Sequence, residues 1–174
     1  MPTGATFRFL SRQLAAVAAA AVLAGTAAAA MPQRGGTLTL IGAEPPALLS
    51  LANITVGARD ISAKVTEGLL RFDDDFVARP LLATRWTVSA DGRRYTFTLR
   101  QGVKWHDGQP FGAADVAYSI QELKRLNPRA RSTFANVERV ETPDAHTAVI
   151  VLSAPAPYLL RTLSAAESPI VPKH

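Results

Sequence analysis

Residues 85–105 constrain this chain more than any other stretch. Trp86 and Val88 lie two apart, Ser89-Ala90-Asp91-Gly92 follows, and Tyr95, Phe97 and Leu99 then alternate with Thr96, Thr98 and Arg100. Successive side chains of a strand point to opposite faces, so such a run has one apolar and one polar side. Asp-Gly between two such runs suits the backbone angles of a tight reversal. The stretch predicts a β-hairpin whose Tyr95, Phe97 and Leu99 face is buried and whose other face meets water.

The flanking sequence adds helices and further strands. A second turn is expected at His106-Asp107-Gly108, then a helix from Ala113 to Leu126, in which Val116, Ile120 and Leu123 form one stripe. Gly112 is a permissive N-cap, Phe111 can staple onto Val116, and Asn127-Pro128 ends the helix. Strands are expected over Val137–Glu141 and Thr147–Leu152, joined by a turn at Thr142-Pro143-Asp144-Ala145, with a short helix near Tyr158–Leu163. Upstream, Leu38 and Leu40 suggest a strand over Thr37–Ile41, stopped by Glu44-Pro45-Pro46. A loop then runs through Asn53, Thr55 and Gly57 into a helix over Ala58–Glu67, with Gly68 as its C-terminal cap. Asp73-Asp74-Asp75 reads as a solvated turn, because the following FVARPLL lacks the glycine and bidentate acid of a calcium loop. Strands and helices mix without regular βαβ alternation, which makes the fold class α+β.

The first thirty residues read as a cleavable export signal. Arg8 and Arg12 supply the positive start, Leu14 to Ala24 is apolar, and Ala28 and Ala30 give the small-residue cleavage pattern. The expected location is therefore the periplasm. The whole chain has 19 basic and 14 acidic groups, a formal charge of +5; residues 1–30 hold two of the basic groups and none of the acids, which leaves +3. These charges are interspersed, and no dense basic stripe marks a nucleic-acid surface. With no cysteine in 174 residues, disulfide frameworks, thiolate metal sites and catalytic thiols are excluded.

Little in the sequence looks catalytic. Trp105-His106-Asp107 alone places a base-like side chain beside a carboxylate, and no glycine-flanked serine accompanies it. A turn is the expected role there, and His146 is expected to be exposed. Arg34-Gly35-Gly36 precedes a strand, whereas a phosphate cradle follows one. Neither a cofactor nor a metal is expected.

A family resemblance emerges from the order of several motifs: Gly36-Thr37-Leu38, Glu67-Gly68-Leu69-Leu70-Arg71-Phe72, and Pro80-Leu81-Leu82-Ala83-Thr84-Arg85-Trp86. It continues through Asp91-Gly92, Tyr95 to Arg100, Gly102-Val103-Lys104-Trp105-His106-Asp107-Gly108-Gln109-Pro110-Phe111, Asp115-Val116 with Ser119, Pro143-Asp144 with Thr147, and Pro172-Lys173-His174. Over residues 35–174 the chain resembles the extracellular solute-binding proteins of the peptide and nickel type, family 5 of the bacterial ABC importers.

The resemblance implies a non-enzymatic, monomeric, two-lobed periplasmic binding protein (class II-like, type C), with mixed or antiparallel sheet and flanking helices. It implies capture of peptides, or less often nickel chelates, sugars or opines, and delivery to an ABC permease. Only the amino-terminal portion of the family is matched. The implied organisation is a signal peptide over 1–30, the first strand and loop of lobe I over 31–57, an accessory subdomain over 58–163, and the start of the return to lobe I over 164–174. The remainder of lobe I and lobe II are expected to be missing, which makes the chain a truncated receptor; an exported interaction module is the alternative. Aligned on Glu67-Gly68, the loop Thr55-Val56-Gly57 falls where family members offer backbone groups to a peptide. Phe134 is a further candidate, facing either the cleft or the accessory-subdomain core.

Overall fold

The computed structural model describes residues 35–37, 39, 51 and 55–174. The expected export signal lies outside these residues, as does most of the expected first strand; Thr37 and Thr39 are exposed and irregular. Helix α1 spans Val56–Val65, followed by strands β1 (Leu70–Phe72), β2 (Ala78–Pro80), β3 (Ala83–Val88) and β4 (Arg94–Leu99). Helices α2 (Ala113–Leu126) and α3 (Pro128–Thr133) come next, then β5 (Val137–Asp144), β6 (Thr147–Leu152) and a 3-10 turn at Leu159–Thr162.

The expected hairpin is the β3–β4 pair, with Trp86 opposite Phe97 and Val88 opposite Tyr95. β6 adds antiparallel to β4, and β5 to β6, giving the order β3-β4-β6-β5. Tyr95, Phe97 and Leu99 are buried together with Ala148, Ile150 and Leu152 of β6. The buried stripe of α2, Val116, Ile120 and Leu123, joins the same core. Trp105 packs edge-on against Phe111, with ring centroids 5.9 Å apart and planes at 80°. The architecture is α+β, an antiparallel sheet with helices against it, as expected.

Local chemistry accounts for the turns. Asp73, Asp91, Asp107 and Asp144 each accept a backbone N–H a few residues on: Val77 at 2.8 Å, Arg93 at 3.1 Å, Gln109 at 3.0 Å and His146 at 2.7 Å. An aspartate that folds back on its own turn stands in for a missing ladder bond. The first of these turns joins β1 to β2, a short hairpin that the sequence reading did not anticipate because Leu70-Arg71-Phe72 is too brief to show a period.

Four boundaries differ from expectation, each for a physical reason. α1 begins at Val56, because Thr55 takes the N-cap position and its hydroxyl accepts the Ala58 N–H at 3.4 Å. It ends at Val65: the Thr66 N–H and hydroxyl both return to the Ser62 carbonyl, at 2.8 and 2.9 Å. Asn127 ends α2 and also starts α3, its Oδ1 accepting the N–H groups of Arg129 at 3.0 Å and Ala130 at 3.1 Å, with Pro128 at the first helical position. Strand β5 continues through Pro143, tolerated on an edge strand where the register shifts between Glu141 and Asp144.

Gly68, expected as a helix cap, instead permits a close backbone approach. A Cβ there would lie 2.5 Å from Ala165 N and Ser164 C and 2.6 Å from Leu163 O. Around it, the segment after the 3-10 turn is bonded to the chain leaving α1: Leu70 N–H to Leu163 O at 3.0 Å, and Ile170 N–H to Glu67 O at 2.9 Å. The segment's far end is held by α2. The buried Asp115 carboxylate accepts Gly112 N–H at 2.9 Å, Trp105 Nε1–H at 3.3 Å and Lys173 N–H at 2.8 Å. The buried Ser119 hydroxyl accepts Val171 N–H at 2.9 Å and donates to Asp115 O at 2.7 Å.

Gly68→Ala should lower the urea unfolding midpoint by the equivalent of about 2–3 kcal/mol, because the obstacle is backbone and cannot rotate away; a wild-type midpoint would contradict the close approach. Asp115→Ala strands three donors and should cost about 2–4 kcal/mol in the same measurement. The four turn aspartates are held below their ordinary range, each chiefly by a hydrogen bond. The folded state therefore binds fewer protons than the unfolded one across the carboxylate range. Their stabilisation is complete above that range and is lost as pH falls through it. The melting temperature should accordingly be level from about pH 7 to 5 and decline below about pH 4; a melting temperature level down to pH 3 would exclude this contribution.

Candidate functional site

A cleft lies where α1, α3 and the returning segment meet. From α1 it takes Arg59 and Ser62, from α3 Arg129 and Thr133, and from the returning segment Ala166 and Glu167. Its floor is apolar: Leu123 and Ala130 are buried, and Phe134 is completely so. Thr55, Arg59 and Ser62 follow i, i+4 and i+7, which puts them along one face of α1.

The charged groups of the cleft are unequally matched. Arg59 donates through Nε to Ala166 O at 3.1 Å and pairs closely through its guanidinium with Glu167 Oε1. The other oxygen of Glu167 is 3.9 Å from Arg129 Nη1, beyond hydrogen-bonding range. Arg129 has 54% of its side chain exposed, against 29% for Arg59. Its backbone is nonetheless fixed by the Asn127 cap, and the Asn127 amide donates to Leu51 O at 3.0 Å. The Thr133 hydroxyl donates to Arg129 O at 3.1 Å.

The structure relocates the residues singled out from sequence. Thr55 is the N-cap of α1, and Val56 and Gly57 form its first turn instead of a loop. Their N–H groups have no acceptor among the described residues, as expected at a helix start. Val56 is 70% exposed. Of the two placements expected for Phe134, the structure has it wholly within the core, beneath the cleft.

Arg59, Arg129 and Glu167 carry no local signal in the sequence, and Asn127 was expected only to end α2. Thr55 three residues before Ala58, and Asn127 directly before a proline, were the available signals of helix starts. Nothing local could pair Arg59 with Glu167, 108 residues away.

His106 is exposed and has no hydrogen-bond partner among the described residues, while Asp107 turns instead to the Gln109 N–H and, at 2.8 Å, to His174 Nε2. The triad-like neighbour pair is therefore a turn. His146 is half-buried, not exposed as expected, and its Nδ1 is buried with no partner among the described residues. Asp73, first of the three consecutive aspartates, is committed to Val77 N–H and to Arg79 Nε at 2.7 Å.

Comparison with known proteins gives the architecture a context. Residues 77–174 match the model for bacterial extracellular solute-binding proteins, family 5, middle region. Protein XP55 of Streptomyces lividans is 36% identical over 172 residues, 91% of this chain and 30% of its own. The dipeptide-binding protein DppE of Bacillus subtilis (strain 168) is 31% identical over 117 residues, 58% of this chain and 22% of its own. Among solved structures, NikZ from Campylobacter jejuni in complex with Ni(L-His) is similar with a TM-score of 0.65 and 34% identity, over 75% of this chain and 26% of that one. The chain spans less than a third of the length of the relatives it matches.

Proposed function

The chain belongs to family 5 of the bacterial extracellular solute-binding proteins, and we propose that it captures peptides in the periplasm for delivery to an ABC permease in the inner membrane. The family is one of binding proteins and not of enzymes. The observation that supports the reading is the cleft, in which the exposed Arg129 stands beside the Arg59–Glu167 pair over an apolar floor. A receptor for varied peptides gains affinity from the ligand's main chain and tolerates its side chains. The N–H groups of Val56 and Gly57, which have no acceptor among the described residues, suit a peptide carbonyl, and the segment Thr55, Val56 and Gly57 is the proposed place of contact. Export by the signal over 1–30 and action as a monomer belong to the same reading. So does the assignment of 58–163 to an accessory subdomain of the first lobe and of 164–174 to the start of its return.

A second reading, an exported interaction module, is favoured by the exposure of Val56, Val65 and Phe76, at 70%, 54% and 78%. One experiment separates the two. The chain without residues 1–30 is heated with a pool of tri- to pentapeptides. A receptor should gain several degrees in melting temperature at saturating ligand, since occupancy at about a hundred times Kd is worth about 2.7 kcal/mol. No shift, combined with concentration-dependent self-association, would reject the receptor in favour of the module.

A further inference from the structure

A second groove, of about 620 Å³, lies between α1, β1 and the 3-10 turn. Lys64 of α1, Arg71 of β1 and Arg161 of the turn line it, and no carboxylate of the described residues does. These three cations make no side-chain hydrogen bond or ion pair among the described residues, whereas Arg59, Arg79, Arg94, Arg125 and Arg139 are each paired with an acid. Three cations brought together by separate elements, with no acid between them, set up a positive potential that an anionic partner relieves.

The groove also offers backbone and apolar surface. Among the described residues β1 pairs only with β2, and the residues of a strand bond alternately to either side. The Asp73 N–H is directed to Val77 O within the hairpin, so Leu70 and Phe72 face the open edge. Leu163 O takes the Leu70 N–H there at 3.0 Å, while the N–H and carbonyl of Phe72 have no partner among the described residues. Phe76 lines the same groove and is 78% exposed. Its φ of +57° is left-handed, a conformation that costs free energy for a bulky side chain. An exposed ring held in a strained turn adds little to the core, which points to a role outside the fold.

We propose that this groove docks an extended acidic segment of a partner protein. The segment adds to the free edge of β1, sets its carboxylates against Lys64, Arg71 and Arg161, and lays an apolar side chain on Phe72, Leu81 and Phe76. Main-chain bonds to the edge supply affinity, and the charges select the partner. Asp74 and Asp75, exposed at the hairpin tip and outside the groove, would repel a flat anionic surface reaching Phe76 but not a single strand lying within it. The inference goes beyond the receptor reading and does not depend on it.

The test follows the fluorescence anisotropy of three labelled, end-blocked probes with the full chain: Glu-Leu-Glu-Leu-Glu, Gln-Leu-Gln-Leu-Gln and Lys-Leu-Lys-Leu-Lys. The acidic probe should bind at least about tenfold more tightly than the glutamine probe, and the preference should shrink as salt rises. Lys64→Gln combined with Arg161→Gln should abolish the preference. Phe76→Asn should weaken the acidic probe without lowering the melting temperature, because asparagine tolerates the left-handed turn. Equal affinity for the acidic and glutamine probes, or tighter binding of the lysine probe, overturns the inference. A preference that survives the double substitution overturns the groove as its place, and a lower melting temperature for Phe76→Asn makes the ring a packing group and not an anchor. Displacement of the acidic probe by tri- to pentapeptides without acidic side chains would put it in the solute site, overturning this inference and leaving the receptor reading standing. Displacement by phosphatidylglycerol vesicles, with vesicle binding lost in the double variant, would give the groove to a membrane and overturn the protein partner.

Discussion

The returning segment, from Leu163 to Lys173, is the constraint on which the rest of the described fold depends. It approaches the chain after α1 so closely that only a residue without a side chain fits at Gly68. Its two ends are fixed differently. Near Gly68 the bonds are backbone to backbone, whereas at α2 they go to the buried side chains of Asp115 and Ser119. Burying a carboxylate is costly unless its oxygens are satisfied, and here three N–H groups converge on Asp115. The arrangement makes a covalently distant strip of chain a rigid part of the same body.

That rigidity is what creates the cleft. Glu167 sits midway along the strip and meets Arg59 on α1, while α3 brings Arg129 to the opposite side. α3 exists because Asn127 serves two helices at once, closing α2 with its N–H and opening α3 with its side chain. The same side chain ties Leu51 to the cleft wall. Sheet and helix α2 thus act as a platform, and the charged groups of the cleft are carried by α1, α3 and the returning segment. Precise placement of a few polar groups on a packed support is the usual physical basis of a binding wall.

The turns show a similar economy. Each of the described reversals at Asp73, Asp91, Asp107 and Asp144 uses a carboxylate to accept a nearby N–H. Asp107 also shows why a neighbouring His and Asp need not form a catalytic pair: its oxygens are spent on Gln109 and His174, and His106 points into solvent.

The sequence by itself determined the β3–β4 hairpin, helix α2 with its buried stripe, β6 and the family, because these rest on local periodicity or on contiguous motifs. Period two around Asp91-Gly92 and the 3.6-residue spacing of Val116, Ile120 and Leu123 survive in a linear reading. Helix boundaries at Thr55 and Asn127 were legible only in part, since a capping residue also suits a loop or a stop. Tertiary structure alone decided that Gly68 marks a close approach and not a cap, that Phe134 packs in the core, and that Arg59, Arg129 and Glu167 share a cleft. Those outcomes depend on which distant backbone arrives alongside, and a side chain's role then follows from burial and pairing that no local pattern encodes.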